Sequence, residues 1–318
     1  MRNLKQACKL LLTAGILLSG CHRSMASPNQ SQVASILAEQ FETVFYAKAD
    51  LLRDSAGYKE LSAKNANSLR VPFSDLMGGL QPLGDQVPTE VFAAADAVFV
   101  GAKDFQAPHG LGSVRSLFCF VVVFRDGSQF DISKVARGSS VISSVRDGIW
   151  TWETKATEGQ PGPQKFFAIQ NARAYLLVSN DITTLQTIAG GLASPNRTAL
   201  QTPNEIPDWQ SLSQHDLWGY RHYRHGTVHD KNAAGTIDVT STATSLLVFI
   251  DTGKKNATLD LFASDSGTAE KMNAAGKLPQ LKPVGTSAWE TNISLVDDET
   301  SVERVLAVMW LFGFGIYL

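Results

Sequence analysis

Apolar and polar positions fall into blocks along this chain, and the period changes from block to block. Val33, Leu37, Phe41, Val44 and Phe45 recur at spacings of three and four, which places them on one face of a helix running to about Asp54. Residues 55–90 are punctuated by Pro72, Gly78, Gly79, Pro82, Gly84 and Pro88 and read as irregular or short helical. Strand signals then take over. Ala97–Ala102 and Ser116–Phe124 are compact runs of β-branched and aromatic residues, and Arg125-Asp126-Gly127-Ser128 supplies a turn into Gln129–Ser133 as a return strand. Strands are also predicted at Ile149–Lys155, Phe166–Gln170 and Ala174–Val178. Asn180 or Asp181 caps a helix whose buried face is Ile182, Leu185, Ile188 and Leu192.

A similar order recurs after a Ser, Pro and Asn-rich stretch at 194–206. Asp216–Tyr223 and Ser245–Ile250 read as strands, a turn at Asp251–Lys255 leads into Ala257–Phe262, and a short helix ends at Gly276 as its C′ residue. Trp289-Glu290-Thr291 repeats Trp152-Glu153-Thr154, and Ser294–Glu299 echoes Leu177–Asp181 ahead of a helix with a Thr300–Glu303 capping box and a buried face of Val302, Val305 and Met309. The echoes lie 137 and 117 residues apart, so the repeat is either old or a coincidence of strand-to-helix chemistry. The order resembles uncharacterised bacterial envelope families whose repeated units end in a Ser-Asn-Asp step before a helix; the likeness implies no activity. The expected fold class is α+β, a mostly antiparallel sheet with helices packed on one face, in two related sheet-plus-helix units. The expected boundaries are a signal peptide at 1–20, a tether at 21–32, an N-terminal helical segment at 33–96, a first unit with its linker at 97–206 and a second unit at 207–318. Val305–Leu318 carries no charge and is too short to span a bilayer. It reads as a helix end and a buried terminal strand with Phe312, Phe314, Ile316 and Leu318 on one face, the alternative being a second membrane contact.

Composition narrows the class. The chain has 318 residues, 44% of them hydrophobic and 18% charged, which excludes disordered, collagen-like and coiled-coil chains and allows one large or two small cores. The N-terminus carries Arg2, Lys5 and Lys9 with no acid, then the apolar run Leu10–Leu18, well short of the roughly 20 residues of a spanning helix. Leu18-Ser19-Gly20-Cys21 follows at once and resembles the lipobox of bacterial lipoproteins. That resemblance implies a diacylglycerol on Cys21 through a thioether, cleavage before it, and a further acyl chain, such as palmitate, on the new amino group. Several chains of methylenes, each worth about 0.8 kcal/mol when buried, make such an anchor effectively permanent. The alternative is an ordinary cleavable signal using Ser24-Met25-Ala26. His22 stands where an aspartate commonly retains such proteins at an inner membrane, so the resemblance implies an outer membrane where the cell has one. Residues 22–32 form a polar tether with a root-mean-square span of about 20 Å.

Loss of the first twenty residues moves the formal charge from −2 to −5, so an exported, mildly acidic body is expected, with no nucleic-acid partner. Cys8 goes with the signal and Cys21 to lipid, leaving Cys119 in an apolar run as a buried small hydrophobe. Four of the six histidines fall between His215 and Asp230. On a strand, Trp218, Tyr220, His222 and Arg224 share one face, and Arg221, Tyr223 and His225 share the other, so His222 and His225 diverge. Diverging imidazoles beside two arginines argue against a metal, and no metal or other cofactor is expected. Alternating aromatic, Arg and His side chains suit stacking on sugar rings or holding an anionic head group, which makes Trp218, Tyr220, Arg221, His222, Arg224 and His225 the candidate ligand-binding residues. The competing reading packs the rings in the core. Gly110 and Gly112 precede a strand rather than a helix and lack a third glycine, which argues against a dinucleotide loop. No Gly-x-Ser-x-Gly elbow, Ser-x-x-Lys pair or His-Glu-x-x-His helix occurs. The carboxylates of Asp297, Asp298 and Glu299 suit a helix start. The leading expectation is a membrane-anchored, non-catalytic binding or scaffold module of the cell envelope, with the bilayer as one partner and a glycan, lipid or protein as another. The alternative is an envelope hydrolase or metal-dependent enzyme using residues 215–230.

Overall fold

The computed structural model describes residues 30–54, 87–103, 117–136, 142–146, 148–153, 165–171, 174–194, 209–212, 214–222, 243–251, 256–275 and 279–294. In chain order these form α1 (Gln30–Gln40), β1 (Thr43–Lys48), α2 (Ala49–Asp54), α3 (Val87–Ala94), β2 (Ala95–Lys103), β3 (Leu117–Phe124) and α4 (Ile132–Ala136). Then come β4 (Ile142–Arg146), β5 (Ile149–Glu153), β6 (Lys165–Asn171), β7 (Tyr175–Ser179), α5 (Ile182–Ala193), α6 (Trp209–Leu212) and β8 (Leu217–His222). Last are β9 (Ala243–Asp251), β10 (Asn256–Ala263), α7 (Gly267–Ala275), β11 (Lys282–Pro283) and β12 (Ala288–Ser294).

All twelve strands join one antiparallel sheet in the order β11-β12-β10-β9-β8-β1-β2-β3-β7-β6-β5-β4. The α+β class and the antiparallel sheet are as expected. Side chains alternate between two buried layers. Val44, Tyr46, Phe99, Val121, Leu177 and Trp218 point to the face that carries α1, α5 and α6. Phe45, Val98, Phe120, Val178, Leu217 and Val248 point to the other, where α3 contributes Val91 and Phe92 and α7 contributes Ala269 and Met272. The two longest described helices, α1 and α5, thus lie together on one face, and shorter ones add to the opposite layer. A strand enclosed on both sides has no polar face, which is why β3 (LFCFVVVF) is apolar throughout.

Two elements differ from expectation. The helix predicted to reach Asp54 stops at Gln40, and Thr43–Lys48 is instead a central strand, paired with β2 on one side and β8 on the other. Val44 and Phe45 fit the three-four spacing, but Thr-Val-Phe-Tyr is a β-branched and aromatic run that gains more from burial on two faces than from one helical stripe. Gln129–Ser133 is not a return strand. After the turn at Gly127, whose φ is +80°, Phe130 and Ile132 drop into the core, and the Gln170 side chain takes the place of a ladder by accepting from Ile132 N at 2.7 Å and donating to Phe130 O at 2.9 Å.

The step from β7 into α5 is built from three consecutive polar residues. Ser179 Oγ, fully buried, donates to Phe118 O at 2.6 Å and accepts from Asp181 N at 3.1 Å. Asn180 Oδ1 accepts from Phe118 N at 3.1 Å, and Asp181 caps α5 by accepting from Thr184 N at 2.7 Å. The Ser-Asn-Asp pattern therefore locks a strand end and starts a helix. The second copy of this step and the apolar C-terminal segment lie outside the described residues. Trp152 lies in β5 and Trp289 in β12, each the next-to-last strand at opposite ends of the sheet.

Candidate functional site

The candidate strand β8 is held between β1 and β9 at the centre of the sheet. Its alternation turns Trp218 and Tyr220 inward, 2% and 3% exposed. Trp218 stacks on Tyr46 with ring centroids 5.5 Å apart and meets Trp209 of α6 at 5.7 Å, while Tyr220 meets Trp209 edge-on at 5.5 Å. Phe99 completes the cluster 4.9 Å from Tyr46. These rings are core residues. Stacking on a sugar at the surface needs an open ring face, and neither offers one.

Arg221 is half-buried on the opposite face of the strand, across from Thr43 and Leu246. His222 returns to the Trp218 face, donates its backbone N–H to Glu42 O at 2.7 Å, and stands directly opposite Ser245 of β9. The Nδ1 of His222 and the Oγ of Ser245 are both buried, and neither makes a hydrogen bond. A serine facing a histidine is the starting arrangement of nucleophilic catalysis, but the nucleophile must meet a substrate, and Ser245 is 0% exposed. His215 packs its ring on Phe249 at 4.2 Å, and the neighbouring Asp216 pairs with Lys48 at 2.5 Å. Arg224 and His225 lie outside the described residues. Among the described residues, no group of three or more His, Cys, Asp and Glu side chains is placed to hold a metal ion. Cys119 is fully buried, and its burial pushes the thiol well above its ordinary range, so it is no nucleophile in the folded state.

Two further places carry unusual polarity. On β10, Asp260 faces Glu290 of β12 directly across the ladder. Burial first, and the Glu290 charge second, push the Asp260 carboxyl up to about 7, and its Oδ1 is buried without a hydrogen-bond partner. The sequence signal for this was a carboxylate inside the alternating run Ala257, Leu259, Leu261, which a strand reading treats as solvent-facing.

The other place is an open groove of about 550 Å³ between α3 and the β3–α4 connection, lined by Glu90, Ala94, Arg125, Asp126, Phe130 and Lys134 among others. One lining residue, Arg125, shares its partners with Arg53. Arg53 donates to Phe92 O at 2.7 Å and Ala95 O at 2.8 Å, satisfying carbonyls at the α3–β2 junction. Arg125 donates to Ala95 O at 3.1 Å, and both guanidiniums pair with Asp50. No sequence motif marks this groove, because its residues come from two separate segments, at 90–94 and 125–134, that the fold brings together.

No family model and no curated protein matches the chain. It is similar in fold to solved structures of TP0453, each at 11% identity: crystal form I (TM-score 0.48, covering 90% of this chain and 99% of that one), form III (0.46, 90% and 100%) and form IV (0.45, 89% and 97%). Likeness at this level leaves the function of the chain to its own residues. No helix among the described residues is long and apolar enough to cross a membrane.

Proposed function

We propose that this protein is an exported lipoprotein, tied to a bilayer of the cell envelope through acylated Cys21, whose body acts as a non-catalytic binding or scaffold module. The observation that carries the reading is the ordered N-terminal signal of basic residues, an apolar run and Leu18-Ser19-Gly20-Cys21, ending nine positions before the first residue of α1. The non-catalytic half is supported by the enclosure of Ser245, which keeps the best-placed serine away from any substrate. Metabolic labelling with radioactive palmitate is the test of the anchor. The wild-type chain takes up label and fractionates with membranes, and Cys21→Ser does neither. A chain that stays in the cell interior with its first twenty residues attached overturns the anchor. Covalent modification of Ser245 by a fluorophosphonate probe overturns the non-catalytic half.

A further inference from the structure

One face of the sheet is covered unevenly. On the face that holds Val44, Phe99 and Leu177, α1 packs on β1 and β2, α5 packs on β6 and β7, and α6 meets β8 through Trp209. Among the described residues no helix packs on the continuation of this face over β9, β10 and β12. The register aligns Leu247 of β9, Asp260 of β10 and Glu290 of β12 there, with Phe249 opposite Thr258 on the neighbouring row and Phe262 on the row beyond. A bare sheet face leaves mid-strand side chains open to water. Here Phe249, Phe262 and Asp260 are only half-exposed, and the Asp260 Oδ1 is buried. A covering layer belongs over these strands, and the described helices do not supply it.

The other half of the sheet shows how such a layer is made. β7 stands third outward from the central β1–β8 pair, and α5 begins at Ile182, just past the end of β7 at Ser179. That helix returns over β7 and β6 and buries Leu185, Ile188 and Leu192. β12 is likewise third outward on its own side and ends at Ser294. The sequence beyond it has the composition of a second such helix: Asp297 and Asp298, the Thr300–Glu303 capping pattern, then Val302, Val305 and Met309 at helical spacing. The lengths agree as well. Residues 295–299 reach about 17 Å extended, more than the width of a helix, and ten helical residues run about 15 Å, close to the roughly 20 Å of β12 from Ser294 back to Ala288. The other stretch bordering this face, 223–242, offers only Val228, Ile237 and Val239 as large aliphatic residues among charged and small ones, too few for an apolar stripe.

We propose that residues 300–309 lie as a helix over β10 and β12, with Val302, Val305 and Met309 against Phe249 and Phe262, completing the layer that α1, α5 and α6 begin. In this arrangement the face over Asp260 is closed by the chain's own C-terminal part, so a partner of the body binds elsewhere. The arrangement is independent of whether Cys21 carries lipid.

The test places the photo-crosslinking residue p-benzoylphenylalanine at position 262 of the full chain and maps the captured peptide by mass spectrometry. Capture of 300–309 within one molecule is the expected result. The same residue at position 270, where Glu270 of α7 is exposed and α7 packs on the opposite layer, captures that segment at least about tenfold less, because a crosslink needs side chains in contact. Should the variant at 262 fail to unfold cooperatively, position 258 on the same face of β10 gives the same reading. Capture of 223–242 instead, capture of a second copy, equal capture from position 270, or none of 300–309 from either β10 position in a folded chain overturns the proposal.

Discussion

Outward from the central β1–β8 pair, the sheet runs β2, β3, β7 on one side and β9, β10, β12 on the other, each side opening with an antiparallel hairpin, and the two sides are buried to different depths. On the first side β3 is buried at every position but one, and β7 at every position. On the second side β10 alternates between buried and half-buried positions along its length, with an acid at mid-strand. The first side also continues into β6, β5 and β4, where the second has only the two-residue β11. One arrangement of strands is thus carried once by close-packed apolar layers and once by a layer that tolerates a carboxylate pair. Pairing order and depth of burial are separable properties of the same topology.

Enlarging Gly101 tests the packed side most severely. A Cβ built there lies 2.2 Å from Phe41 Cδ2 and 2.6 Å from Cε2, and Phe41 is itself 1% exposed, so neither partner has room to yield. Gly101→Val is expected to cost about 3 kcal/mol in denaturant unfolding, at the upper end of overpacking penalties. Adding Phe41→Ala should return part of that loss, because the clash is with that ring. A cost below about 1 kcal/mol for the single variant would erase the contrast in packing between the two sides.

The looser side is tested through Asp260. Its carboxyl is held up at about 7 in the folded chain against 3.8 in the unfolded one, so the folded state holds the proton more tightly between those values. The stability that Asp260 contributes is therefore greatest below about pH 4 and is lost as the pH rises through about 7, the opposite of the usual carboxylate contribution. One pKa unit corresponds to about 1.4 kcal/mol, and partial solvent access discounts the total to about 2 kcal/mol. Asp260→Asn should flatten this pH dependence and be more stable than wild type by about that amount at pH 8. Because the Glu290 charge is the second cause of the rise, Glu290→Gln should shift the Asp260 titration to lower pH. A wild-type chain that gains stability between pH 4 and 7 relative to Asp260→Asn would place the charge in a favourable setting and break the comparison.

Most of the sheet was legible because long apolar or alternating runs bounded by turn residues leave few options: β2, β3, β6, β7, β9 and β10 fall close to their predicted positions. β1 was hidden because Val44 and Phe45 satisfy a helical spacing as well as a strand, and only pairing on both sides, a non-local fact, decides between them. The candidate site was less legible. Alternation along β8 separated Arg221 from His222, but nothing local shows that both faces of this strand are covered, so a stacking surface stayed open beside the core reading of Trp218 and Tyr220. The groove of Glu90, Arg125 and Lys134 depends on residues distant in sequence and left no local mark.

The smallest effect concerns how helices are started on the two sides. Asp181 begins α5 on the packed side with a half-buried carboxylate accepting from Thr184 N at 2.7 Å. Asp265 stands before α7 on the other side and accepts from Gly267 N at 2.8 Å, but it is exposed. Removing a cap costs typically about 1 kcal/mol, less where water can replace the lost acceptor. Asp181→Ala should therefore lower stability by about 1 kcal/mol, with Asp181→Asn retaining most of it since an amide oxygen still accepts. Asp265→Ala should cost about half as much, because water reaches the freed N–H. Chemical denaturation of the three variants side by side decides the matter. Equal losses at Asp181 and Asp265 would mean that the two helix starts are equally shielded, and that the difference between the sides is confined to the strands.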